Sequence, residues 1–164
     1  MRLFVPIFKA LQKNNVSFVV VGGVAVVLHG HARLTGNIDL VIELSRKNII
    51  HAVNTMNELG YVPRVPVNPM DFANEKIRRQ WIKEKGLRVF SFVRSMSPLV
   101  SIDFFAEYPM DFSFLLKRSV IQKLGSASVR ICGIDDLIYM KKMAGRPKDR
   151  EDIRVLKLIK GLSK

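Results

Sequence analysis

Asn37 and Asp39, in the stretch RLTGNIDLVIEL, stand two residues apart where a turn feeds an apolar strand. In a strand, positions i and i+2 face the same way, so these two side chains lie side by side. Two carboxylates at that spacing suit a hard cation such as magnesium, which takes oxygen ligands. Here one of the two is an amide. Upstream, Gly22 and Gly23 close the run SFVVVGG. A glycine pair at a strand-to-helix turn lets backbone approach a ligand, and the helix that follows offers free N–H groups to a phosphate. Downstream, Asp103 sits in the apolar setting SIDFF, where a carboxylate must be paired, capped or metal-bound. Each residue also has a plain structural role open to it. The glycines can be a tight turn, Asn37 a turn residue after Gly36, Asp39 a strand-edge acid and Asp103 the partner of an arginine.

The surrounding pattern supplies elements to position them. Phe4, Ile7, Phe8 and Leu11 follow the spacing of an amphipathic helix, with Pro6 tolerated in its first turn. The β-branched and aromatic run Phe18 to Val21 predicts a short buried strand, and GVAVVLHG a helix after it. The next strand places Ile38, Leu40 and Ile42 on one face and Asn37, Asp39 and Val41 on the other. RKNIIHAVNTMNELG predicts an amphipathic helix stopped by Gly60 as its C-cap. Pro63, Pro66 and Pro69 exclude regular structure throughout the segment that follows. NEKIRRQWIKEKG predicts another helix, and LRVFSFV and LVSIDFF a pair of strands. SVIQKLGSASVRICG reads as a hairpin turning at Gly125-Ser126. Two helices finish the chain, IDDLIYMKKMAG and KDREDIRVLKLIKGL, joined at Arg146-Pro147, with Asp135 expected to cap the first of them.

The chain has 164 residues, which suits one domain spanning 1–164, with residues 133–164 as a basic helical segment. No apolar run reaches the length of a membrane span, and no membrane partner is expected. Cys132 is the only cysteine, so an internal disulfide is excluded and a cytoplasmic location is expected. In the apolar run VRIC its thiol reads as buried and inert. The formal net charge of +13 favours phosphate-rich partners such as nucleotides or RNA. The surplus is densest at the end, where residues 141–164 hold nine Lys or Arg against three acids. A solvated helical face that keeps the protein soluble is the other reading of that tail.

Taken together, the string VVGGVAVVLHGHARLTGNIDLVI resembles the nucleotidyltransferase superfamily, which shares the DNA polymerase β-like catalytic fold. That family's signature is an apolar residue, Gly-Gly or Gly-Ser, a gap of about ten residues, and then Asp-x-Asp/Glu flanked by apolar residues; here thirteen residues separate Gly23 from Asn37. A third family carboxylate lies on a later strand, where Asp103 matches. DDLIYMKKMAGRPKDREDI resembles a segment of the bacterial minimal nucleotidyltransferases, including those of the abortive-infection and toxin–antitoxin type. The resemblance implies an α+β (mixed α/β) fold, with a central mixed sheet flanked by helices and further helices at the C-terminus. It implies transfer of a nucleoside monophosphate from a nucleoside triphosphate to an RNA (tRNA among them) or protein hydroxyl, with Mg2+ ions on Asp39, Asp103 and, more weakly, Asn37. Gly22 and Gly23 would cradle phosphate. Arg33, Lys141, Lys142, Arg146 and Lys148 are candidates for triphosphate or acceptor contacts, since fixed cations stabilise charge on phosphoryl oxygens.

Asn37 departs from the pattern at the family's first aspartate. An amide carbonyl can ligate a hard cation but brings no charge. Glu43 shares Asp39's strand face but lies roughly 13 Å along it, too far to substitute. Three readings follow: a degenerate nucleotide- or protein-binding module of a toxin–antitoxin-type pair, a slow enzyme relying on Asp39 and Asp103, or an introduced inactivating change. An RNA-binding protein with purely structural acids is a further alternative.

Overall fold

The computed structural model describes residues 1–94 and 100–162. Their element order is α1 (Val5–Lys13), β1 (Phe18–Val21), α2 (Gly22–Leu28), β2 (Asn37–Ile42), α3 (Arg46–Glu58), β3 (Val62–Pro63), α4 (Glu75–Lys85), β4 (Val89–Val93), β5 (Ser101–Phe105), α5 (Phe112–Arg118), β6 (Val120–Leu124), β7 (Ala127–Ile131), α6 (Ile134–Ala144) and α7 (Pro147–Leu162). The strands form one mixed sheet in the order β3-β4-β5-β2-β1-β7-β6. This is the expected α+β architecture. Leu99, at the start of the expected LVSIDFF strand, lies outside the described residues.

Periodicity explains most of these elements. Ile7, Phe8 and Leu11 of α1 are buried, with Pro6 in its first turn. All four residues of β1 are buried, as befits a strand with neighbours on both sides and helices packed on the sheet. Ser45 caps α3 by accepting the Asn48 N–H, and Gly60 just beyond its end takes a left-handed φ of +74°. The proline-rich segment supplies only the two-residue β3 and a 3-10 turn over Pro69–Ala73. β6 and β7 form the expected hairpin, pairing from Val120–Ile131 to Leu124–Ala127.

Asp135 is not the cap of α6. The helix begins two residues earlier than that cap would require, at Ile134, with Gly133 at the cap position and no side-chain cap bond. A Cβ on Gly133 would lie 2.9 Å from the Arg118 carbonyl oxygen, so close packing dictates the cap residue. Asp135 instead pairs with Lys160, tying α6 to α7, and Asp136 pairs with Arg118 at 2.7 Å.

The sheet centre sets the positions that matter. β2 runs antiparallel to β1 and parallel to β5, with Ile38, Leu40, Ile102 and Phe104 fully buried around the pairing. A ladder of rings, Phe72, Phe90, Phe92 and Phe104, with neighbouring centroids 4.8–5.2 Å apart, backs β4 and β5. No helix among the described residues is long and apolar enough to cross a membrane. Cys132 is fully buried, and burial pushes its thiol far above the ordinary range, which leaves it inert. Phe92 is fully buried in the ring ladder, so Phe92→Ala is expected to cost about 3–5 kcal/mol of folding stability, read as a lower urea midpoint.

Candidate active site

The register of the sheet brings the predicted acids together. β2 and β5 pair Asn37 with Ser101 and Asp39 with Asp103. Paired residues on adjacent strands share a face, so Asp39 and Asp103 form one row of it. The row continues to Ser91, opposite Asp103 on β4, and to Val21, opposite Asp39 on β1. Beside it, Asn37 and Ser101 form a second polar row.

β1 ends at Val21, and the chain turns into α2 directly above Asp39. Gly22 has a φ of +62°, and a Cβ there would lie 2.0 Å from Asp39 Oδ2. Only glycine lets backbone rest on the carboxylate at that distance. The Gly23 backbone N–H donates to Asp39. A Cβ on Gly23 would lie 2.7 Å from Thr35 Oγ1 and 3.4 Å from Arg33 Nη2, so the second glycine makes room for those two side chains. The first task of the glycine pair is therefore to seat Asp39.

The electrostatics of the acid pair are unfavourable on their own. Burial, reinforced by the nearby Asp103 charge, raises the Asp39 carboxyl above its ordinary value, against the pull of the Gly23 N–H, Arg146 and Lys141. Asp103 is buried, and its Oδ2 accepts a long 3.5 Å hydrogen bond from Asn37 Nδ2. Asp103 Oδ1 and the neighbouring Ser101 Oγ are sealed from solvent without a partner among the described residues. An orphaned carboxylate oxygen beside a second carboxylate fits a hard divalent cation. Asn37, turned about its amide, would add a carbonyl oxygen. Among the described residues no three His, Cys, Asp or Glu side chains gather as a metal site, and position 37, beside the acid pair, carries an amide.

The C-terminal helices supply the cations. Gly145, at φ +63°, ends α6, and Pro147 opens α7, leaving Arg146 at the junction. Arg146 Nε donates to Asp149 Oδ2 at 2.8 Å, and its charge acts on Asp39. Arg33 Nη1 donates to Asp152 Oδ2 at 2.5 Å. Lys141 is buried, with Nζ 2.9 Å from Asp149 Oδ1 and 2.6 Å from Asp152 Oδ2. Its ammonium is committed to those carboxylates. Lys142 and Lys148 are exposed, with no hydrogen bond or ion pair among the described residues. His29 is drawn inward, where Nε2 meets the Cys132 carbonyl oxygen at 2.8 Å, and burial lowers its pKa. His31 lies 3.7 Å from Asp152.

Asp149, Asp152, Thr35, Ser91 and Ser101 were not among the residues singled out from sequence. The signal for the two aspartates was present. Positions 149, 152 and 156 share one face of α7, the face carrying the buried Leu156, so two acids occupy core positions. Burial alone would raise Asp149, but hydrogen bonds from Arg146 and Lys141 hold its pKa down to about 2.

A mixed sheet that sets an acidic strand under a glycine turn defines the nucleotidyltransferase class of fold. The chain belongs to the family described as Nucleotidyltransferase of unknown function (DUF6036), whose model matches residues 2–163. Among solved structures it is similar to the lincosamide antibiotic adenylyltransferase LnuA, lincomycin-bound, with a TM-score of 0.66, 14% identity and 97% of each chain covered. It is also similar to a candidate nucleotidyltransferase (TM1012) from Thermotoga maritima, with a TM-score of 0.59, 13% identity, and 93% of this chain and 89% of that one covered. No curated protein matches the chain in sequence.

Two outcomes follow from this geometry. Asp39 ionises later in the folded chain than in the unfolded one, so stability falls as pH rises through that interval. Asp39→Asn is therefore expected to raise the thermal midpoint at pH 7 in the absence of divalent cations, with the difference vanishing in acid. Gly22→Ala is expected to lower it, by at least the roughly 1–3 kcal/mol that a strained backbone conformation costs, measured by urea unfolding.

Proposed function

We propose that this protein transfers a nucleoside monophosphate from a nucleoside triphosphate to a hydroxyl group of an RNA or protein acceptor, forming a phosphoester bond at the α-phosphorus as the α–β anhydride breaks and pyrophosphate leaves. The observation that carries the reading is the Asp39–Asp103 pair, seated under the Gly22–Gly23 turn with Arg33 and Arg146 close by. The positively charged chain favours RNA over protein as acceptor. LnuA is an adenylyltransferase whose structure holds lincomycin, which supports a site of this fold accepting a nucleotide and a second substrate.

Asp39 and Asp103, with the Asn37 amide oxygen as a neutral third donor, would hold Mg2+, which when bound neutralises the triphosphate and activates the acceptor hydroxyl. The chain's own groups do the rest. Arg33 and Arg146 set fixed positive charge beside the acids, where it stabilises charge developing on phosphoryl oxygens. The bare backbone of Gly22 and Gly23 lets a phosphate approach without side-chain obstruction. Exposed Lys142 and Lys148 are available to a polyanionic acceptor.

Asn37 supports a second reading. Its amide donates to Asp103, where an aspartate would repel it, so the chain also suits a nucleotide-binding partner in a toxin–antitoxin-type pair with little transfer of its own. One assay separates the two. The protein and its Asn37→Asp variant are incubated with each α-labelled triphosphate, Mg2+ and total tRNA or cell extract. Transfer by both, at least about tenfold faster with aspartate and abolished by Asp39→Asn, is the expected result; tenfold corresponds to about 1.4 kcal/mol of barrier. Transfer by the variant alone favours the binding module. Absence of label transfer from either sinks the enzymatic reading.

A further inference from the structure

Arg33 and Arg146 come from distant parts of the chain, yet each spends only part of its guanidinium on an aspartate. Arg33 donates from Nη1 to Asp152 and from Nε to the Leu34 carbonyl oxygen. Arg146 donates from Nε and Nη2 to Asp149. Arg33 Nη2 and Arg146 Nη1 make no hydrogen bond among the described residues. The free Arg33 group faces the bare Gly23 position, and the Arg146 charge reaches Asp39.

What aims these two groups is buried behind them. Asp149 and Asp152 are 1% and 2% exposed, and Lys141 3%. The Lys141 ammonium bridges the two carboxylates, and each carboxylate holds one arginine. A buried ion cluster contributes little net stability compared with apolar packing, because desolvation offsets the Coulomb gain. It does fix geometry, since every member loses heavily if it moves away from its partners. Arg33, Lys141 and Arg146 against Asp149 and Asp152 leave one surplus positive charge, and the unused Arg33 amino group lies on the side of the Gly22–Gly23 turn.

We infer that Lys141, Asp149 and Asp152 are positioning residues that hold Arg33 and Arg146 as a two-pronged clamp for the polyphosphate of a nucleotide, a grip that works without a divalent cation. The inference rests on the nucleotidyltransferase reading of the site. Asn37 permits it, because an aspartate there would add a third negative charge beside Asp39 and Asp103. The arginine forks match phosphoryl oxygens in geometry, and pre-fixed donors lose less entropy on binding.

The test is ATP binding by calorimetry on the whole protein, first in EDTA and then with Mg2+. ATP is expected to bind in EDTA. Arg33→Lys, which keeps a cation for Asp152 but loses the second amino group, is expected to weaken that binding about tenfold. Asp152→Asn is expected to weaken it by about the same factor, and the double variant no further, because both changes disable one prong. Circular dichroism and thermal midpoints show whether each variant is folded, and Arg33→Lys carries the test if Asp152→Asn is not. Binding that needs Mg2+, a folded Asp152→Asn that binds like the parent, or losses that multiply in the double variant overturns the clamp. An unmutated protein that binds no ATP with or without Mg2+ overturns the nucleotide-site reading itself.

Discussion

Two carboxylates held side by side on neighbouring strands are the constraint around which this molecule is arranged. The parallel β2–β5 pairing leaves Asp39 and Asp103 no choice of neighbour. Their mutual repulsion and desolvation must be offset by whatever surrounds them. One donor is the Gly23 N–H, which reaches Asp39 because Gly22 carries no Cβ to keep the backbone away. A second is the Asn37 amide, which touches Asp103 at the limit of a hydrogen bond. The rest of the compensation is long-range, from Arg146 and Lys141. One oxygen of Asp103 remains unsatisfied. A buried carboxylate oxygen without a partner is an expensive feature for a fold to keep.

That long-range compensation comes from the C-terminal helices. α6 and α7 meet at Gly145-Arg146-Pro147, and the first turns of α7 turn Asp149 and Asp152 inward onto Lys141. Arg33, from the loop after α2, joins the same cluster through Asp152. The segment that looks like a basic tail is therefore electrostatically wired to the acidic strand, and its densest charges are not all surface charges. Because the Asp149 carboxyl is held near 2, acid weakens the cluster only as pH falls below the ordinary carboxylate range toward that value.

Much of this was legible from the residues alone. The turn at Gly22–Gly23 and the strand positions of Asp39 and Asp103 could be read because strand alternation and a glycine at a strand end leave local signatures, whereas their joint reading as a site came from the family resemblance. The same is true of α1, α3, the β6–β7 hairpin and the two final helices. The short α5, over FSFLLKR, and the two-residue β3 escaped because neither is long enough to show a period. Asp135 was misjudged as a cap because the cap is decided by the close approach of the Arg118 carbonyl to Gly133, a tertiary fact. Lys141 was expected to meet phosphate, whereas its neighbours Leu137 and Ile138 place it on the buried face of α6. Asp149 and Asp152 were hidden for the converse reason, since acids in a basic helix read as surface until their partners are seen.

Asn37 is the one residue at which local rules and the family pattern disagree, and the account depends on what it does to cation binding. Titration of Mn2+ by electron paramagnetic resonance, with ATP present, reads that directly in the unmutated protein and in Asn37→Asp. Mn2+ is expected to bind both, at least about tenfold more tightly with aspartate, in keeping with a hard cation's preference for anionic oxygen, and to be lost from each when Asp39 is changed to Asn. Mn2+ that ignores both position 37 and Asp39, or fails to bind even with aspartate restored, would contradict this expectation.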